Sequence, residues 1–183
     1  MRKIDFGQSV TLLANIGVIA GIVFLAMELR QNTAAIQGAT YQALADGQSN
    51  QQLGVAHDPE LTSALRAAYG FEDLLEVEEF RVIFFYNALV QRLENTYFQW
   101  RTGLVDDRVF QSYGWTDRIL NTEHFAVYWN LIGANFNTDP QFRRFFEENV
   151  DLWTCPAGLD ALPDNSPFAE RVKSFCQEQA SVP

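Results

Sequence analysis

The chain opens with an uncharged, mostly apolar run from Phe6 to Met27, bounded by Arg2 and Lys3 on one side and by Glu28 and Arg30 on the other. A helix lying on a soluble core shows one apolar stripe and one polar face, whereas this run is apolar on all sides over much of its length. At about 1.5 Å per residue it spans roughly 33 Å as a helix, close to the roughly 30 Å hydrocarbon thickness of a bilayer. The pattern predicts a short tail at 1–5 and one transmembrane helix at 6–29. Its middle, Ile16 to Met27, is strongly apolar, while Gln8, Ser9, Thr11 and Asn15 make the first half more polar. A cleaved signal peptide is disfavoured, because Met27-Glu28-Leu29-Arg30 offers no small-residue cleavage site.

Helical signals continue beyond the run, and no segment alternates convincingly like a strand bounded by turns. Residues 30–53 contain no proline and are rich in Ala, Gln and Leu, so the first helix is expected to continue, weakened at Gly38, Gly47 and Gly54. Asp58-Pro59 reads as an N-cap with proline in the first turn, and Gly70 as a stop. The longest soluble helix is expected from Leu75 to Thr102, ended by Gly103, and another from Asp107 to about Leu120, capped by Asp106 and interrupted at Gly114. Thr122 opens an aromatic helix through Phe125 to Ala134. Thr138-Asp139-Pro140 starts one to about Trp153, and Ser166-Pro167 starts the last. The expected fold is all-α: an N-terminal transmembrane helix continuing into an extramembrane helical bundle. The helical domain covers 30–153, and a C-terminal connector and helix cover 154–183.

Charge narrows the partners. The chain has 13 Lys+Arg against 23 Asp+Glu. Setting aside Arg2, Lys3, Asp5, Glu28 and Arg30 leaves 10 against 21, a formal charge of -11 on the rest. Such a surface repels phosphate backbones, so nucleic acid is not an expected partner. Arg2 and Lys3 against a single Arg30 favour an N-terminus in the cytoplasm and a domain outside, periplasmic if the membrane is a bacterial inner membrane. Fifteen Phe make a bulky core or an aromatic partner surface plausible.

Cys155 and Cys176 are the only cysteines. In an exported domain they are candidates for a disulfide closing the proline-rich connector, against the alternative of two separate buried thiols. His57 and His124 show no ligand spacing with them, so no metal site is expected.

Three constellations stand out. Gly17 and Gly21 form a G-x-x-x-G strip beside Ala14 and Asn15, a surface on which a second helix can approach closely. The long helix carries Asn87, Gln91, Asn95 and Gln99 at every fourth position, a polar seam beside an apolar face of Val82, Phe85, Leu89, Leu93 and Trp100, which Phe80 and Phe84 extend. Around that seam, Arg92, Glu94, Asn95, Tyr97 and Gln99 are candidates for a small-molecule pocket or subunit contact. Catalytic grammar is missing: there is no phosphate-binding glycine loop, nucleophile elbow, H-E-x-x-H or E-x-x-H. Glu78-Glu79 and Glu147-Glu148 read as solvated surface. No enzyme activity and no cofactor are expected.

Two stretches, Phe24-Leu-Ala-Met-Glu-Leu-Arg-Gln-Asn-Thr33 with Tyr41 behind it, and Arg92-Leu-Glu-Asn-Thr-Tyr-Phe-Gln-Trp-Arg-Thr-Gly-Leu-Val-Asp106, resemble an uncharacterised bacterial family of single-span membrane-anchored helical proteins. The resemblance implies bacterial origin and the same architecture, with no activity to carry over; Glu28 stands where the family pattern has a neutral residue. Both stretches mix Arg, Asn, Gln and Tyr, so Arg30, Gln31 and Asn32 are expected near the Arg92 to Gln99 segment at a membrane-proximal base. The expected role is a membrane-anchored assembly or accessory subunit, self-associating or docked on other membrane subunits. A ligand-binding or sensor domain and an oligomeric pore, lined by Gln8, Thr11 and Asn15, are the alternatives.

Overall fold

The computed structural model describes residues 6–70, 73–113, 115, 118–134, 138–155 and 167–180. Expectations at Arg2, Lys3, Gly114 and most of the 154–166 connector lie outside the described residues, as does the side chain of Gln8. The described residues contain no strand: seven α-helices, one 3-10 turn and one π turn follow in order.

Helix α1 runs unbroken from Phe6 to His57. Gly38, Gly47 and Gly54 do not interrupt it, since no proline removes a donor and each glycine faces open space. The chain divides into two compact units, Met1–Ala43 and Leu44–Pro183, a boundary inside α1 and later than residue 29. Its position has a local cause. Leu44 is the first buried residue among the described side chains of α1, and its carbonyl accepts a hydrogen bond from the Tyr113 hydroxyl.

In the first unit, an 18-residue window of α1 reaches a mean hydropathy of 2.4 with none of it buried. Thr11 Oγ1 donates to the Gly7 carbonyl at 3.0 Å, and Thr33 Oγ1 to the Leu29 carbonyl at 2.9 Å. These hydroxyls are therefore satisfied within the helix itself.

In the second unit, α1 ends where Asp58 leaves helical geometry and its carboxylate accepts the N–H groups of Glu60 and Leu61. Pro59 then begins α2 (Pro59–Tyr69), which buries Ala64, Leu65 and Ala68. Gly70 ends α2 at φ −90°, not in the left-handed region; its N–H simply meets the Arg66 and Ala67 carbonyls. Helix α3 (Glu76–Arg101) is central and buries Val82, Tyr86, Leu89, Val90, Leu93, Thr96 and Tyr97. Its end does need a glycine, because Gly103 takes φ +76°.

Helix α4 spans only Asp107–Gln111, so the expected continuation to Leu120 does not form. The Phe110 carbonyl, which a further turn would use, is taken by the indole N–H of Trp115 at 2.7 Å, and Ser112 Oγ caps the Val109 carbonyl at 2.8 Å. A 3-10 turn (Arg118–Asn121) follows, then α5 (Glu123–Tyr128), capped by Thr122, and a π turn (Trp129–Gly133). Helix α6 (Pro140–Asn149) stops earlier than the expected Trp153, because Val150 is extended at φ −101°, ψ 129°. Helix α7 (Pro167–Ala180) buries Val172 and Cys176 in a small cluster with Val127.

The aromatic residues are largely internal. Trp100 stacks on Phe110 at 4.3 Å and 12°, Phe145 lies 4.8 Å from Tyr97 and 5.3 Å from Trp115, and Trp129 lies 4.5 Å from Phe146. Phe125 joins this group to Tyr86 at 5.2 Å. Ring contacts at these separations add to the stabilisation from area burial. Phe80 and Phe84 depart from this pattern: they remain 56% and 69% exposed rather than extending the packed face.

Candidate functional site

Two features of the structure are candidates for function, one in each unit. The first is the apolar part of α1. Every described side chain from Val10 to Leu29 is exposed, including Ile16, Val18, Ile22, Phe24 and Leu25, each more than half exposed. Gly17 and Gly21 have nothing within 4 Å of where a Cβ would sit. Ala14 and Asn15 are exposed beside them.

The polar cluster expected on the long helix is not one site. Successive helical residues point about 100° apart, and its members separate accordingly. Tyr97 belongs to the aromatic core. Glu94 accepts the backbone N–H of Asp139 at 2.7 Å, holding the start of α6. Gln91 and Asn95 are exposed, and Gln99 Nε2 donates to Asn95 Oδ1 at 3.0 Å. The fourth amide of the seam, Asn87, is half-buried and accepts the Tyr128 hydroxyl at 2.7 Å. The seam is thus mostly surface. Arg30, Gln31 and Asn32 are exposed in the first unit, whereas the partners of Arg92 and Glu94 described here belong to the second.

Arg92, from the expected cluster, lines a cavity. This space, of about 510 Å³, lies between the C-terminal part of α1, α2 and α3. Helix α1 contributes Gln48, Gln51, Gln52 and Val55 at spacings of three, one and three, which place them on one helical face. Leu65 and Arg66 come from α2, Phe85 and Leu89 from α3, and Ile119 from the 3-10 turn. No Asp or Glu is among the described lining residues. Of these lining residues, Arg92 and the apolar-face residues Phe85 and Leu89 stood out in the sequence; Gln48, Gln51 and Gln52 share a helical face whose significance the sequence did not mark, and Arg66 carried no signal.

The Arg92 guanidinium is held on two sides. Its Nε–H donates to Gln51 Oε1 at 2.8 Å, and its Cζ lies 5.4 Å from the centre of the Tyr113 ring. Burial raises the Tyr113 pKa above its ordinary value, and the Arg92 charge and hydrogen bond partly oppose that shift. Arg92 Nη1 and Gln51 Nε2 are both buried without a hydrogen-bond acceptor.

The acidic pairs read as solvated surface have structural partners. Glu78 accepts the Leu75 N–H at 2.8 Å, Glu79 pairs with Arg171 at 2.5 Å, and Glu147 pairs with Arg143 at 3.0 Å. Cys155 and Cys176 are joined by a disulfide with a Cα separation of 5.6 Å. Among the described residues no group of His, Cys, Asp and Glu has the arrangement of a metal site. Compared with known proteins, the chain matches no family, no curated protein and no solved structure.

Proposed function

We propose that this chain is a membrane-anchored helical protein acting as an assembly or accessory subunit, either self-associated or within a larger membrane complex. One observation carries the reading: the apolar stretch of α1 is entirely exposed along Val10 to Leu29. A soluble protein rarely leaves a contiguous apolar surface of that size uncovered, whereas a bilayer covers it at no cost. The open strip at Gly17 and Gly21 suits a second helix backbone, and Asn15 beside it would hydrogen-bond across such a contact. The Cys155–Cys176 disulfide favours an oxidising compartment, which supports reading the second unit as periplasmic, outside a bacterial inner membrane. The family resemblance agrees with this architecture. Neither nucleic acid nor a cofactor enters the proposal.

Native mass spectrometry of the chain extracted from its own membranes in mild detergent tests this. A closed homo-oligomer or a defined heteromeric complex is the expected result, and replacing Gly17 and Gly21 together with Leu should shift it towards monomer. A lone monomer, or recovery of the native chain in the aqueous fraction without detergent, overturns the proposal.

A further inference from the structure

We infer that the cavity between α1, α2 and α3 binds a small organic carboxylate whose apolar body lies against Leu65, Phe85, Leu89 and Ile119. Its volume of about 510 Å³ falls within the range of about 300–1,000 Å³ common for small-molecule sites. Its walls are mainly apolar and carry a few convergent polar groups, the arrangement by which such sites combine affinity with orientation.

The charge of the ligand follows from the donors. In a chain of net charge -10, the ionised side chains among the described lining residues are Arg66 and Arg92. Neither makes an ion pair with a described carboxylate. The two polar atoms left unpartnered at the Arg92–Gln51 contact, Nη1 and Nε2, are both donors, and a guanidinium has no acceptor of its own. A buried donor without a partner bears its full desolvation cost, and more when charged. A carboxylate supplies only acceptors and matches the guanidinium fork, so it suits a cavity whose charged lining groups are Arg66 and Arg92. A cationic or donor-only ligand would leave them unpaired and add charge repulsion. The Gln51 and Tyr113 contacts hold the guanidinium in place before the ligand arrives, which lowers the ordering cost of binding.

The full chain in lipid nanodiscs is titrated with 4-phenylbutyrate and with 4-phenylbutanol, which share an apolar body and differ in the charged group. Saturation-transfer NMR and equilibrium dialysis read the binding. The acid is expected to bind at least about tenfold more tightly than the alcohol, the factor of one good charged hydrogen bond. Arg92→Met should abolish that preference, while Asn95→Ala, on the exposed seam, should leave it intact. Gln51→Glu supplies an internal carboxylate beside Arg92; it should raise the unfolding midpoint and weaken the acid specifically. It also keeps the test decisive if Arg92→Met fails to fold. Equal binding of acid and alcohol, acid binding unchanged in a folded Arg92→Met or Gln51→Glu chain, or no binding of the acid by the native chain overturns the inference.

Discussion

Single residues in the second unit are set by what surrounds them more than by their type. Tyr86 and Tyr128 both sit in the aromatic core, and burial raises both pKa values well above the ordinary tyrosine value of 10.0. The fold therefore favours the neutral phenol. That stability is fully present below pH 10 and is lost as pH rises toward the raised folded values. Urea midpoints should accordingly fall between about pH 8 and about pH 11, and Tyr86→Phe should fall less over the same interval. An unchanged pH dependence in Tyr86→Phe would locate the alkaline loss elsewhere. Asp58 works differently. It caps α2 and also pairs with Arg81 at 3.0 Å, so Asp58→Ala should destabilise the second unit by about 1 kcal/mol through the lost cap. The ion pair, about a third exposed on each side, should add little. Chemical denaturation of the two proteins side by side measures the sum.

At the scale of an element, the same substitution has opposite signs in two glycines. Gly47 lies in α1 with nothing within 4 Å of an added Cβ. Gly47→Ala should stabilise by about 0.5–1 kcal/mol, because alanine loses less conformational entropy in a helix. Gly133 closes the π turn, where a Cβ would approach Trp129 Cε3 at 2.8 Å and Tyr128 Cε1 at 2.9 Å. Both rings are buried and packed on Phe125 at 6.4 and 5.6 Å, so neither has free room to retreat. Gly133→Ala should cost about 1–3 kcal/mol by overpacking. Thermal unfolding of both variants would separate the cases, and a stabilised Gly133→Ala would show that the turn can relax.

At the scale of the whole molecule, the two units are held by different means. The first consists, in its described residues, of helix α1 with its side chains exposed from Val10 to Leu29, and its proposed solvent is the bilayer. The second combines the aromatic core with a disulfide spanning 21 residues. That bond ties α7 to the strand-free segment after α6, next to the small cluster of Val127, Val172 and Trp153. Closing a loop of this length is worth about 3 kcal/mol in the loop-entropy account. Cys155→Ser with Cys176→Ser should therefore lower the unfolding midpoint, with α7 protected least in hydrogen exchange while α3 keeps its protection. Equal loss of protection in α3 and α7 would mean that the bond stabilises the whole core rather than the C-terminal helix.

Much of the fold was legible along the chain because its signals are local. Apolar length marks α1, Asp58-Pro59 and Asp139-Pro140 mark the starts of α2 and α6, and Gly103 marks the end of α3. Each depends on the backbone geometry of a few neighbouring residues. The errors arose where a side chain competes for the backbone: the Trp115 indole takes the Phe110 carbonyl that would have extended α4. The polar seam failed for a related reason, since periodicity groups residues by helix face but does not say which face is covered. Sequence alone determined that this chain is helical and that its first helix carries a long apolar stretch, because both follow from composition and spacing. Only the tertiary structure decided that Glu94 anchors α6, that Tyr97 joins the aromatic core and that Arg92 faces a cavity. Those outcomes depend on contacts between residues more than forty positions apart, such as Arg92 with Gln51, and no local pattern encodes them.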